Sequence, residues 1–559
     1  MNSKYLTKAE ISDLDDEIDR RIASFKLLRR PKAAAIFHLL ISFETRMERS
    51  GEFMHLPERG LAYEKAYNGL NYALRWIHEL CIDIHWQRCI DFEILEESDE
   101  LLTEAGVYSQ FWTQMVLLHK GRNRAQRLNK HEIIISAIEP GNRDLDTAGA
   151  VLADAQYPVN PKDTQSLSEE IFEQIRRKVK ISQNSQAGFQ YSFDQKLFNS
   201  VRRTRSQRNL IRRTMSPDWD LGDYTYKQLR TFWATLDALN EIHSVSVGRI
   251  NNVGRKRTYQ VRALTKQGWI DRISRWSKLE KSIVEKIIDD LTYSKAIHAN
   301  KARNKRAHVM YQPFIPLEND SIALSTSIVR ISNYERNMWT LISILRPAVF
   351  SKLSDASKEC FWIQSFIKKK ALKNAICIPR IKYTHKRIKR DLDLLIVDRD
   401  LRFVLICQLK WLTRAPGPQS VFDDDLDLRT ATEQAKDALE WAELNHDRLS
   451  EVTGLAIEDI KHFEFRPIVI SKDTLPSGNF GETVVPVIDE RLFDWITDSP
   501  HYRSLRELWS AADSLSYVPR EGVHFVNSDR EIGWGNLRFI LRGLAFNISN
   551  RWTPEDIRF

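Results

Sequence analysis

The sequence predicts a multidomain chain: a mostly α-helical N-terminal region followed by a C-terminal α/β unit on a mixed central sheet. Three observations carry this. Residues 1 to about 150 show helical spacing of apolar positions and few strand-like runs. From about residue 351 the pattern changes to helix, strands, helix and strand, the order of a compact α/β unit. Two apolar runs, Asp391-Leu-Asp-Leu-Leu-Ile-Val397 and Phe403-Val-Leu-Ile-Cys-Gln-Leu-Lys-Trp411, flank the tight turn Asp398-Arg-Asp400 and read as a buried β-hairpin.

The N-terminal domain is placed at 1–156. Thr7-Lys-Ala-Glu10 reads as a capping box opening a charged helix that runs through Arg30. Ala33 to Arg49 continues with helical spacing, and Tyr63 to about Ile94 reads as one or two long buried helices. Residues 157–224 form a linker, marked by Tyr157-Pro-Val-Asn-Pro, and a basic segment in which Arg202, Arg203, Arg205, Arg208, Arg212 and Arg213 crowd together. At about 100° per residue these arginines spread around a helix, so a solvated helix or loop competes with a phosphate-contacting surface. A mostly helical middle domain spans 225–350: Tyr226 to His243, Thr265 to Leu291 and Ile331 to Phe350 read as helices. The segments around Thr258, Tyr311 and Ile322 read as extended. The α/β domain spans 351–498, and 499–559 is a C-terminal extension whose tryptophans suit packing onto the body or a second copy.

The 559 residues are 42% hydrophobic and 28% charged, the balance of a globular protein. No apolar run approaches the about 20 residues that span a bilayer, and the N-terminus does not read as a signal peptide. The five cysteines lack disulfide-like spacing, which suits a reducing cytoplasm. A formal charge of +9 permits a polyanionic partner.

The hairpin carries the chemistry. Side chains alternate along a strand, so Asp391 and Asp393 share one face, as do Gln408 and Lys410. Unpaired carboxylates and an ammonium are costly in a buried sheet, and a divalent metal with a phosphate supplies a reason to gather them. Around the hairpin, Asp355 to Leu372 reads as a helix carrying Glu359, and Ala375 to Tyr383 as an edge strand containing Pro379. Leu428 to Trp441 reads as a helix carrying Gln434. Asp423-Asp-Asp425 and Asp427 read as a solvated loop and N-cap.

This order and these residues resemble the PD-(D/E)xK nuclease superfamily over residues 351–498, and Ile-Cys-Gln408-Leu-Lys410-Trp is similar to the Gln-x-Lys variant of Mrr-type restriction endonucleases. The resemblance implies a restriction-endonuclease-like fold and a metal-dependent phosphodiesterase, an endonuclease acting on DNA, in restriction or antiviral defence. It implies Mg²⁺, or Mn²⁺, held by Asp393, Gln408 and the Leu409 main chain. Lys410 would orient or deprotonate the attacking water, with Glu359 as the helix glutamate and Asp391 and Gln434 as accessory groups. Ala438 stands where that family often has tyrosine. Gln408 is neutral where glutamate is commoner, so the site should hold metal more weakly.

Two other readings compete: a non-catalytic nucleic-acid-binding or assembly scaffold that retains the fold, and an RNA-directed toxin. No glycine-rich phosphate loop or dinucleotide fingerprint is present, so any ATPase, or a trigger, would come from a protein partner. Homo-oligomerisation is open. His78, Cys81, His85 and Cys89 recur at three- and four-residue spacing, and one helix face would present all four metal-ligand types. Their apolar neighbours favour core packing over a zinc site.

Overall fold

The computed structural model describes residues 5–51, 57–137, 161–184, 188–209, 216–250, 256, 259–293, 308–332, 334–354, 359–412, 418–472, 475–476, 484–517 and 520–546. Its strands are β1 (Asn123–Arg127), β2 (Glu132–Ala137), β3 (Lys180–Asn184), β4 (Gly188–Ser192), β5 (Val261–Thr265), β6 (Ile315–Pro316), β7 (Ser321–Ser325), β8 (Ile376–His385), β9 (Ile388–Asp398), β10 (Phe403–Trp411), β11 (Glu464–Lys472), β12 (Val487–Asp489), β13 (Phe525–Trp534) and β14 (Leu537–Phe546). No described helix is long and apolar enough to cross a membrane.

Helices α1 (Lys8–Ile22), α2 (Lys32–Gly51), α3 (Pro57–Leu80) and α4 (Phe92–His119) build the N-terminal layer. The capping box is present: Thr7 accepts from the Glu10 N–H, and Glu10 accepts from the Thr7 N–H. Helix α3 stops at Leu80, short of Ile94. An extended segment follows, tied by the Ile82 carbonyl accepting from the Lys32 N–H at 3.0 Å. This break dismantles the four-residue metal face. His78 stacks on Tyr293 with ring centroids 4.9 Å apart, and His85 contacts Glu318 at 3.0 Å. Cys81 is buried and Cys89 is exposed.

The domains drawn from sequence at 1–156 and 225–350 share one continuous core, which runs from Ile11 through Trp339 to Leu541. Glu44 of α2 fastens the two parts. Its buried carboxylate accepts from the Ser327 N–H at 2.9 Å and the Ser327 hydroxyl at 2.6 Å, at the start of helix Thr326–Ile331. Within the middle part, the helix expected over Thr265 to Leu291 is two helices, Lys266–Ser277 and Lys281–Asp290, divided at Lys278 with φ 65°. The segment drawn as linker contains helix Pro161–Lys178, hairpin β3–β4 and helix Gln195–Asn209, which pack on helix Tyr226–Gly248 around Ile175, Phe198 and Ile242. Its Pro-rich start at 157–160 lies outside the described residues.

The α/β unit is a five-stranded sheet in the order β12-β11-β10-β9-β8, with β8, β9 and β10 antiparallel and β10, β11 and β12 parallel. β8, which carries Pro379, is an edge strand as expected. One face is covered by helices Glu359–Phe366, Glu490–Asp498 and Leu505–Asp513, the other by the long helix Pro418–Leu444. The described helix after residue 355 is therefore shorter than expected, and a 3₁₀ turn, Lys370–Leu372, follows it.

The C-terminal extension divides between the two bodies. Trp509 of helix Leu505–Asp513 donates to the Pro467 carbonyl at 2.9 Å and joins the α/β core. Hairpin β13–β14 instead completes the N-terminal sheet β1-β2-β14-β13, pairing β14 parallel to β2. Trp534 is buried there against Phe25, Tyr108 and Phe111.

Helices α3 and α4 touch backbone to backbone at Gly69: a Cβ added there would lie 2.5 Å from the Gly106 nitrogen. Neither backbone can retreat without repacking the crossing. Gly69→Val should therefore lower stability by about 3 kcal/mol, read as a drop in the denaturant midpoint of the full chain.

Candidate active site

Apolar alternation buries the hairpin on both faces. Leu394, Ile396, Leu405 and Cys407 pack toward the three shorter helices, and Leu395, Val397, Val404 and Ile406 toward Pro418–Leu444. The β9–β10 ladder runs from Phe403↔Asp398 to Cys407↔Leu394 and ends there. Continuing that register would set Asp393 opposite Gln408 and Asp391 opposite Lys410. The strands open instead, and the Asp393 carboxylate accepts from the Leu409 N–H at 2.7 Å in the gap. Asp393 and Gln408 are buried, Lys410 is half-buried and Asp391 is exposed. Asp391 pairs in register with Lys382 of β8.

The opening coincides with a kink in the neighbouring strand. Arg380 adopts φ 56°, a left-handed conformation in mid-strand. Ile376 and Ile378 lean toward the long helix before it, and Ile381 and Tyr383 do so after it, so the side-chain alternation shifts by one residue. The shift is repeated on β9: Leu395 and Val397 face the long helix, and so does Leu392. Asp393 sits at this change of face, which is why it reaches a main-chain N–H rather than standing on a flat sheet.

On its other side β10 stays paired, with Gln408↔Val469 and Lys410↔Ser471, and β11 continues the rows to Val487 and Asp489. The Gln408 Oε1 atom is buried with no hydrogen-bond partner among the described residues, and so is the Gln434 Oε1 atom on the long helix. Both border one small apolar cluster: Val469, the register partner of Gln408, packs on Ala431 and Ala435, the latter next to Gln434. Ala438, at the position of the missing tyrosine, is fully buried and packs in the cluster of Ile406 and Trp441.

The long helix brings residues that the sequence reading assigned to a solvated loop. Asp423, Asp424, Asp425 and Asp427 lie inside helix Pro418–Leu444. Partial burial raises the pKa of the Asp427 carboxyl, the Lys410 ammonium pulls it back down, and Asp423 pushes it up again. Spacing held the signal: residues 423, 427 and 434 share one helical face. Asp489 and Lys472, at the ends of β12 and β11, were not singled out. Asp489 is fully buried, caps helix Glu490–Asp498 through the Leu492 N–H at 2.7 Å and pairs with Arg491 at 2.6 Å. Lys472 lies 4.5 Å from the Trp411 ring centroid and 3.5 Å from Glu490, which also accepts from the Trp362 indole at 2.9 Å.

Glu359 opens helix Glu359–Phe366, whose Trp362 ring lies 6.2 Å from Trp411, the residue after Lys410. The helix start is thereby brought toward the end of β10, but the Glu359 side chain lies outside the described residues. Arg202 and Arg203 ride on helix Gln195–Asn209, which packs through Leu197, Phe198 and Val201 on helix Tyr226–Gly248. They belong to the middle region rather than to the hairpin. The side chains of Arg205 and Arg208, and Arg212 and Arg213 altogether, lie outside the described residues.

The donors gathered at the open end of the hairpin, a carboxylate, an amide oxygen and main chain, are hard oxygen ligands of the kind Mg²⁺ prefers. The orphaned Gln408 oxygen fits an ion or its waters, because a buried acceptor without a donor costs free energy. The described His, Cys, Asp and Glu side chains bring three ligand atoms within 4.8 Å of one another elsewhere, at His385, Asp437 and Glu440. There Lys386 contacts Glu440 at 2.5 Å and Arg390 contacts Asp437 at 3.0 Å, so the carboxylates are already neutralised.

No family model, curated protein or solved structure matches the chain.

A cation lowers the pKa of a neighbouring carboxyl, so its removal must raise it. Lys410→Met should move the Asp427 titration to higher pH than in the parent chain, followed by carbon-detected NMR of the aspartate carboxyls. An unchanged titration would mean that the two side chains do not interact.

Proposed function

We propose that the chain is a metal-dependent nuclease that hydrolyses phosphodiester bonds in DNA as an endonuclease, with its active site at the open end of the β9–β10 hairpin. The observation that carries this reading is the buried, unpartnered Gln408 oxygen beside Asp393 and one pleat from Lys410. The reading also rests on the PD-(D/E)xK resemblance of the same residues. Mg²⁺ or Mn²⁺, when bound, would supply Lewis-acid stabilisation of the negative charge that develops on the phosphate.

The residues divide the remaining work. Asp393 and the Gln408 oxygen would hold the ion, with the Leu409 N–H fixing the direction of the Asp393 carboxylate. Lys410 would orient the attacking water and balance charge on the scissile phosphate. Asp427 places a carboxylate close to Lys410. In this reading the N-terminal and middle regions recognise a trigger, a substrate or a partner, as in restriction or antiviral defence, and the protein works in the cytoplasm.

Cleavage of plasmid and single-stranded DNA, with an RNA control, tests the proposal in Mg²⁺ or Mn²⁺ against a chelator. Asp393→Ala and Lys410→Ala should each reduce cutting by roughly a hundredfold or more. Nucleic-acid binding that survives both substitutions, without any cutting, would favour a scaffold, and preferential cutting of RNA would favour a toxin. Gln408→Glu adds a ligand charge, so the Mn²⁺ concentration for half-maximal cutting should fall below that of the parent chain. A variant that needs as much metal as the parent would remove Gln408 from the metal site.

A further inference from the structure

A second polar cluster lies in the middle region, far in sequence from the hairpin. Arg262 of β5 is 6% exposed, and among the described residues no carboxylate acts on its charge. One guanidinium N–H donates to the Asn240 oxygen at 3.0 Å, and the group stacks 4.6 Å from the Trp269 ring centroid. The charged or ionisable groups that act on it are Arg272, which is also cationic, and Tyr191. Burial pushes the Arg262 pKa down to about 9, with Arg272 pushing the same way.

The hydrogen bonds around it engage His243, Tyr191 and Asn240. His243 is buried, and burial and the Arg262 charge hold its pKa well below the usual range, so the imidazole is neutral. Its Nε2 donates to the Tyr259 carbonyl at 2.7 Å, which leaves Nδ1 to accept from the Tyr191 hydroxyl at 3.1 Å. That hydroxyl in turn accepts from Arg272 at 2.9 Å. Three buried donors remain without a partner: Arg262 Nη2, Arg272 Nε and Asn240 Nδ2. A buried cation beside unpaired donors is a costly arrangement for a free protein.

We infer that this cluster is a binding site for a phosphate group, whose oxygens would accept from Arg262 Nη2, Arg272 Nε and Asn240 Nδ2. The rim favours a small ligand. Tyr191, Tyr259 and Arg272 are half-buried, so the cluster reaches the surface through them. Phe189 lies 5.3 Å from the Tyr259 ring centroid and 5.5 Å from Tyr191, giving an aromatic wall suited to a nucleotide base above the phosphate. Free inorganic phosphate and a nucleotide present the same group to the same donors.

Thermal unfolding of the full chain in chelator tests this without reference to any nuclease activity. Inorganic phosphate and ATP are added separately, in parallel titrations of the parent chain, Arg262→Met and Arg272→Gln. The parent should melt at higher temperature with at least one of them. A response to phosphate alone identifies the free anion, and one confined to ATP identifies a nucleotide. Both variants should lose the shift or need at least about tenfold more ligand. Without ligand Arg262→Met should melt no lower than the parent, because it removes an unpaired buried charge. Should that variant fold poorly, the half-buried Arg272→Gln carries the comparison. No shift in the parent with either compound, or an equal shift in parent and Arg272→Gln, overturns the assignment.

Discussion

Trp411 joins the two bodies of the molecule, and the geometry of the candidate site depends on it. It ends β10, directly after Lys410, and its ring lies 6.2 Å from Trp339 and 6.5 Å from Trp219 of the helical body. On the α/β side it meets Trp362 at 6.2 Å and the Lys472 ammonium at 4.5 Å. Large aromatic side chains dominate the energetics of such junctions. A strand whose last residue is wedged among three other indoles cannot shift its register, so Gln408 and Lys410 are held where the strands part. Any rearrangement of the helical body at Trp219 or Trp339 is felt one residue from Lys410.

The same wedge explains why the sheet opens on one side only. β10 remains fully paired to β11 as far as Trp411↔Lys472, while its ladder with β9 ends at Cys407. The left-handed Arg380 bends β8, β9 follows it, and β10, pinned by Trp411, does not. Asp393 stands at the resulting gap, its carboxylate accepting from the Leu409 main-chain N–H. A carboxylate held in this way keeps its direction, which a site built for a cation requires.

The hairpin was legible because its signals are local: two β-rich apolar runs, a short turn and polar residues two apart. The long helix was legible only from Leu428, since four aspartates in a row of five, read without their neighbours, suggest a cap. In the fold the Asp427 carboxylate has Lys410 as a counter-charge. Helix ends failed for a related reason. Neither Leu80 nor Lys278 is a glycine or proline: the first helix stops where Lys32, from another helix, bonds Ile82, and the second at a left-handed Lys278 with the Ser274 and Ser277 hydroxyls around Leu279. Hairpin β13–β14 pairs with a strand some four hundred residues upstream, a partnership that no window of sequence contains. Asp489, Lys472 and Arg262 looked like ordinary polar residues because their burial is a property of the fold alone.

The two polar clusters are unsatisfied in opposite senses, and this gives the molecule its chemical direction. At the hairpin the orphaned atoms are acceptors, the Gln408 and Gln434 oxygens, in a neighbourhood that also holds Asp393 and Asp427. In the cluster around Arg262 they are donors, on Arg262, Arg272 and Asn240, and among the described residues no carboxylate acts on the Arg262 charge. Exchange between the two by direct contact is impossible, since each set is buried in its own core. The two proposed sites therefore call for opposite partners, a cation at the hairpin and an anion in the middle region. Trp276 packs on the core next to the donor cluster, whereas Trp339 and Trp411 connect the larger helical core to β10.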